Sequence, residues 1–303
     1  MTVMRRREFI RDSAIVTLGF SALAPLLSAR SPDFPATISS DWLSQNLGSP
    51  GLAVLDIRSA EQYKKGHIPG AVHAPVSSWA VSRDGLSLEL PTENALRDLL
   101  GRLGLKPEAR VVIVNRNETD FSRADAMRVA WTCMTAGINN TAVLDGGHNR
   151  WVKENLSLST LDTRVEPAIY EGRMNGNLAV PKSHVLSRIG KAVIVDTRLP
   201  EDYFGIASKP GHIKGAVNLP APWIFAGDGT IRKEADLRAM AAGVIGTNSS
   251  KEVILYCGVG GFAAAWWFVL TRILGYPNAK VYDGSIEEWV KDPTSPISMY
   301  TWH

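Results

Sequence analysis

The chain is written twice. The segment VLDIRSAEQYKKGHIPGAVHAP, from Val54 to Pro75, returns as IVDTRLPEDYFGIASKPGHIKGAVNLP from Ile194 to Pro220. Asp56, Arg58, Glu61 and Tyr63 match Asp196, Arg198, Glu201 and Tyr203 at an offset of 140, and GHIPGAV matches GHIKGAV at 145. The second copy therefore carries a five-residue insertion between them. Further on, VVIVN, ending at Asn115, matches VILYC, ending at Cys257. VLDGGHNRW, ending at Trp151, matches VYDGSIEEW, ending at Trp289, at an offset of 138. Ordered matches of this kind mean two homologous units, each with its own copy of one fold. The reading is a first domain over 36–160, a linker over 161–177 containing Pro167, Gly172 and Gly176, and a second domain over 178–295.

Within each unit, short apolar runs alternate with helical spacing. LAVLDI, RVVIVN and TAVLDG are strand candidates in the first copy, and AVIVD, EVILYC and AKVYDG are their partners. Continuous apolar strands suit a parallel sheet covered on both faces. ENALRDLLGRLG and SRADAMRVAWTCMTAG have helical spacing, with Gly137 and Gly275 at helix C-terminal positions. The expected fold class is α/β: two homologous domains, each a mostly parallel sheet flanked by helices, with ligands at the carboxyl ends of the strands.

One cysteine stands at such an end. Cys257 follows the strand EVILY and precedes the helix FAAAWWFVLTRIL, with Gly258, Val259, Gly260, Gly261 and Phe262 forming the turn. The thiolate, not the thiol, is the nucleophile. Successive backbone N–H groups and the positive end of a helix favour an anion. Gly258, Gly260 and Gly261 can take positive φ without a Cβ penalty, which lets the chain curl around one sulfur. The loop is thus suited to hold a sulfur anion, first thiolate and then persulfide. Cys133 sits mid-helix among apolar neighbours and belongs to the core. Two cysteines are too few for a disulfide framework, and no Cys/His cluster suggests a metal.

These features resemble the rhodanese (sulfurtransferase) family in its tandem-domain form. The motifs carrying the resemblance are VDTR…GHIKGAV, YCGVGGFA and VYDGSIEEW. The resemblance implies a ping-pong reaction: Cys257 takes the outer sulfur of a donor such as thiosulfate or 3-mercaptopyruvate and passes it to a thiol or cyanide-like acceptor. It implies no metal and no organic cofactor. A protein sulfur acceptor fits the same chemistry. In tandem members only the second copy carries the cysteine. Here Asn115 holds the matching place in the first copy, whose NRNETDFS loop lacks the glycines, so that domain is expected to be inactive and to wall the cleft.

The departures bear on substrate. Thiosulfate-using members place cations in the loop, and this loop has none. The 3-mercaptopyruvate enzymes share a glycine at the second position. They carry a hydroxyl residue third, where Val259 stands, and an arginine where Asp202 stands. A cation from the first domain, Arg83 or Arg116, is a candidate to face the cleft. Asp196 and Arg198 end a strand near the loop, where either a bracing ion pair or substrate contact fits. His212 is matched by His67 in the inactive copy, which argues for a structural role. Trp223 and Trp79 occupy similar places after the two GA motifs, where cleft lining and core packing both fit. Phe262 closes the loop with an apolar ring suited to shield a persulfide. Trp266 and Trp267 read as core.

The first thirty residues, MTVMRRREFIRDSAIVTLGFSALAPLLSAR, have a basic start, a short apolar stretch and small residues. That is the layout of a secretory signal, and RREFIR resembles the twin-arginine type. The reading is an export signal over 1–29 cleaved after Ala29, a periplasmic protein, and no stable membrane anchor after cleavage. Three basic residues of the +3 net charge lie in Arg5–Arg7, so nothing argues for nucleic acid. Two other functions compete with the transferase. A carrier holding persulfide for a partner enzyme is favoured by the uncharged loop. A cysteine phosphatase is opposed by Ala263 and by the lack of any arginine between Cys257 and Arg272.

Overall fold

The computed structural model describes residues 34–207 and 210–303, so the segment read as an export signal lies outside the described residues. Each copy builds one five-stranded sheet, and every pairing in both is parallel. In the first, the spatial order is Thr37–Ile38, Thr141–Leu144, Arg110–Val114, Leu52–Asp56, Val72–His73. In the second it is Ala179–Val180, Ala279–Tyr282, Val253–Tyr256, Val193–Asp196, Val217–Asn218. Strand by strand the two orders are the same, so the repeat in sequence is a repeat in topology. The central strands are buried along almost their whole length, as parallel strands covered by helices must be.

The outer face of each sheet has its own apolar cluster, around Trp151 in the first copy and Trp289 in the second. The inner faces share one cluster that runs through both copies. Two homologous helices join them there, Asp120–Thr135 and Gly261–Phe268. Gly261–Phe268 is apolar on every side and, after its first residue, wholly buried, as a helix enclosed by protein should be. Trp266 and Trp267 are core residues whose ring N–H groups donate to Pro220 O and Ala279 O. The apolar run predicts one helix to Leu274, but from Val269 to Ile273 it widens into a π-turn. Cys133 is fully buried, and burial pushes its thiol far up.

Two segments exchange across this join. Asp84 and Gly85, both at positive φ, turn a short hairpin, Val81–Arg83 with Leu86–Glu89. This hairpin leaves the first copy and lies on the second. Ser87 donates its N–H and hydroxyl to Glu287, and Leu90 N–H donates to Asp283 at 2.7 Å. In return, Ile231 N–H of the second copy donates to Asp145 at 2.8 Å. Asp145 and Asp283 are the repeated aspartates of the two DG motifs. The linker is ordered against the first copy: Ala168 N–H donates to Gly101 O, and the buried Tyr170 hydroxyl donates to Ala136 O.

The join also contains a buried ion pair. Arg128, 4% exposed, reaches from the first copy's helix to Asp283 and to Leu88 O while its guanidinium lies over the Trp131 ring. Removing one partner of such a pair leaves the other charge buried alone. Arg128→Met is expected to cost about 3–5 kcal/mol in urea unfolding, and adding Asp283→Leu to it should recover part of that loss.

Candidate active site

Cys257 lies at the end of its strand and is 2% exposed. Its own N–H donates to Ser285 Oγ at 3.1 Å, and its carbonyl accepts from Ile286 N–H. Ser285 is fully buried at φ 51° and passes its hydroxyl hydrogen to Tyr282 O. The segment after the next strand thus holds the cysteine in place. Among the described residues one amide donates to the sulfur: Gly260 N–H, at 3.1 Å from Sγ. The expected circle of amides is therefore narrower around Sγ itself. The N–H groups of Gly261 and Phe262 open the following helix, where no intrahelical acceptor exists for them.

The glycines divide in role. Gly260 alone of the three has positive φ, 86°, and a Cβ there would meet Asp283 Oδ1 at 2.5 Å. Gly258 and Gly261 have ordinary φ, and a Cβ on either would point into open space. The expectation that all three curl through positive φ is corrected to one. The buried Arg128–Asp283 pair thus backs the loop directly, because Gly260 packs against both members.

A cavity of about 490 Å³ opens on Cys257. Gly258, Val259, Gly261, Phe262, Pro222, Ile286, Arg198, Leu199 and Asp202 line it from the second domain. Leu88 of the hairpin and Thr119, Asp120, Phe121, Ala124 and Asp125 line it from the first. Phe262 is buried and stacks on Phe121 across the cleft, ring centroids 4.5 Å apart. The wall is mostly apolar, and its charged groups are chiefly acidic. Asp120 is paired with Arg123. Burial alone pushes the Asp125 carboxyl up to about 6.

Asp196 and Arg198 form a bidentate pair closed further by Gly211 O. Asp56 and Arg58 form the same pair in the first copy, closed by Gly66 O. An arrangement present in both copies braces the strand end. Burial opposes the charge on Arg198, yet Asp196 holds it protonated above the usual range. Arg198 also borders the cavity. His212 stacks on Tyr203 at 3.9 Å and bonds Tyr203 O through Nδ1, as His67 does with Tyr63 at 3.7 Å. Both are structural.

Three placements differ from expectation. Arg83 pairs with Glu89 and Arg116 with Glu118, both on the surface, and neither lines the cavity. Trp223 is 44% exposed and does not line it either. At the repeat offset of 145, the partner of the buried Trp79 is Ile224, also fully buried, so Trp223 is one step off in a tight turn and points away. The first domain walls the cleft as expected, but sequence reasoning did not identify the residues that do so, among them Leu88, Phe121 and Asp125. Only the hairpin left a signal, Asp84-Gly85 ahead of the alternating Leu86, Leu88 and Leu90.

In the first copy, Asn115 occupies the sulfur's place and donates to Ser122 O. Its loop is closed off by Phe225, Gly229 and Ile231 of the second copy. The rhodanese-like domain model matches residues 39–154 and 183–292. The chain belongs to the rhodanese family. Among curated relatives of this rhodanese, the sulfur carrier protein TtuD of Thermus thermophilus is 31% identical, over 83% of this chain and 92% of that protein. A thiosulfate sulfurtransferase of Corynebacterium glutamicum is also 31% identical, over 86% and 89%. Among solved structures, EanB in complex with ergothioneine superposes with a TM-score of 0.76 at 22% identity, covering 88% of this chain and 71% of that one, and shares the fold. This rhodanese is a sulfurtransferase, acting on small sulfur donors and acceptors.

Two outcomes follow from this geometry. Gly260→Ala should abolish transfer while Gly258→Ala and Gly261→Ala retain most of it, read as kcat/KM. Asp125 binds its proton more tightly folded than unfolded, so it lowers stability as pH rises from 3.8 to about 6, and the loss is constant above that. Asp125→Asn should raise stability by about 1–3 kcal/mol at pH 7.5, with the gain shrinking toward pH 4 in denaturant titrations.

Proposed function

We propose that Cys257 is the sulfur carrier of the reaction. The observation that carries this is the Gly260 N–H set 3.1 Å from Sγ at the floor of the cavity. The Cys257 thiolate attacks the outer sulfur of thiosulfate, 3-mercaptopyruvate or a related donor. A new S–S bond forms to Sγ, the donor's bond to that sulfur breaks, and its electron pair leaves with sulfite or the enolate of pyruvate. A thiolate or cyanide then attacks the terminal sulfur, and the pair of the breaking S–S bond returns to Sγ. The resident sulfur stays reduced overall, so no redox cofactor enters. The Gly260 amide and the start of the Gly261–Phe268 helix stabilise the anion at each stage. Phe262 and Phe121 shield the persulfide from water. The first domain, with Asn115 in place of cysteine, carries no sulfur and supplies the opposite wall.

A carrier role, holding persulfide for a partner enzyme, is the second reading. Among the described residues the cavity wall has no unpaired cation, which favours it, and a curated relative is named a sulfur carrier protein. Intact-protein mass spectrometry after incubation with each donor tests both. Wild type should gain one sulfur and Cys257→Ser none. No gain with any donor would overturn the assignment. Loading by polysulfide, with none by thiosulfate or 3-mercaptopyruvate, would select the carrier reading.

We further propose that the protein works in the periplasm, exported by the twin-arginine-type signal at 1–29. The support is the RREFIR motif before a short apolar stretch. Arg6→Lys with Arg7→Lys should leave the precursor in the cytoplasmic fraction. Equal export of that double variant would exclude this route.

A further inference from the structure

One group in the cavity has no counterpart in the sulfur chemistry. Phe121, Ala124 and Asp125 lie at positions i, i+3 and i+4 of the helix Asp120–Thr135, so they share the face turned to the cleft. Arg198 is ion-paired with Asp196 and donates to Gly211 O, and Asp120 is paired with Arg123. Asp202 is engaged within the protein. Asp125 has no hydrogen bond or ion pair among the described residues. It lines the same cavity one helical turn after Phe121, a residue 64% exposed whose ring stacks on Phe262. At the repeat offset of 138, the companion helix has Ala263 in this place, fully buried, so the fold itself does not need a carboxylate there.

We propose that Asp125 is a specificity-determining residue, which makes the preferred sulfur acceptor a small organic thiol bearing a cationic group. This rests on Cys257 acting as the sulfur carrier. The carboxylate attracts the positive group, the exposed Phe121 face receives it, and an anionic thiol is repelled by Asp125 and by the persulfide itself. The acceptor thiolate attacks the terminal sulfur, its new S–S bond replaces the bond to Sγ, and Sγ leaves as thiolate. Nothing is oxidised or reduced overall. Burial keeps the Asp125 carboxyl near pH 6, so its charge is present at neutral pH and lost below it. The other titratable groups facing the cavity are Asp120, Arg198, Asp202 and the sulfur of Cys257.

The test preloads the folded protein with sulfur from inorganic polysulfide. Discharge is then timed by intact mass with cysteamine or 3-mercaptopropionate, thiols of similar size and opposite charge. The quantity read is the ratio of the two rate constants in wild type, Asp125→Asn and Asp125→Lys. The ratio should fall about tenfold in Asp125→Asn and further in Asp125→Lys. In wild type it should also fall as pH drops from 7.5 to 5.5, where both thiols are mostly protonated, and stay flat in Asp125→Asn. The same ratio in wild type and Asp125→Asn, or a wild-type ratio independent of pH, overturns the proposal. Asp125→Asn is isosteric, so the test stands without the lysine variant. Failure of folded wild type to gain sulfur from polysulfide overturns the carrier role of Cys257, and this proposal with it. Normal loading with an unchanged ratio overturns this proposal alone.

Discussion

The contact on which the site depends is the one between Gly260 and Asp283. The sulfur receives its hydrogen bond because the chain turns through φ 86° at Gly260. That turn is pressed against the Asp283 carboxylate, which is itself held by Arg128 and by Leu90 N–H from the other domain. The shape of the loop is therefore set by both copies together. This explains in physical terms why a domain with Asn115 in place of the loop cysteine remains fused to one that has it. The first copy provides the cation that fixes Asp283 and the helix face that closes the cavity.

The exchange is symmetric in its backbone and asymmetric in its chemistry. Asp145 and Asp283 each accept one N–H from the opposite copy. At the next homologous pair the copies diverge. Gly147 at φ 58° sits against Asn115, and Ser285 at φ 51° uses its hydroxyl to hold the Cys257 amide. The loop of the first copy is filled by Phe225, Gly229 and Ile231. Over the second, the reciprocal hairpin sends in only Leu88 at the rim and leaves a space for substrate. Small differences in what each arm delivers make one site closed and the other open.

The fold was legible because its signals are local or repeated. Six apolar runs gave six strands, and the offset matches gave the duplicated topology. The position of Cys257 was legible for the same reason, being the residue that breaks the match with Asn115 between a strand and a glycine turn. The paired roles of His67 and His212, and of Arg58 and Arg198, could also be read from their repetition. What could not be read is everything that depends on how the copies face each other. Phe121, Asp125 and Arg128 lie on a helix whose spacing says only that it is buried, and the exposed part of its face becomes the cavity wall. Trp223 failed for a related reason. Without the offset of 145 applied residue by residue, a tight turn does not reveal that Ile224, not Trp223, takes the inward place of Trp79.

The electrostatics of the cleft separate two tasks that a charged loop would merge. An arginine or lysine beside the sulfur would stabilise the persulfide and also attract any free anion from solution. Here the stabilising elements are dipoles: the Gly260 amide and the opening of a buried helix. Dipoles fall off faster with distance than charges do, so they act on the resident sulfur and exert little pull on a dianion outside. Around them the wall has Asp125, without a partner among the described residues, and Arg198, ion-paired with Asp196. On the proposed reading, holding sulfur and recruiting its partner fall to different residues. The first task needs the loop geometry that Asp283 enforces. The second is left to the face of the first domain, where a change at one helix position alters which molecules approach without disturbing the sulfur's own surroundings.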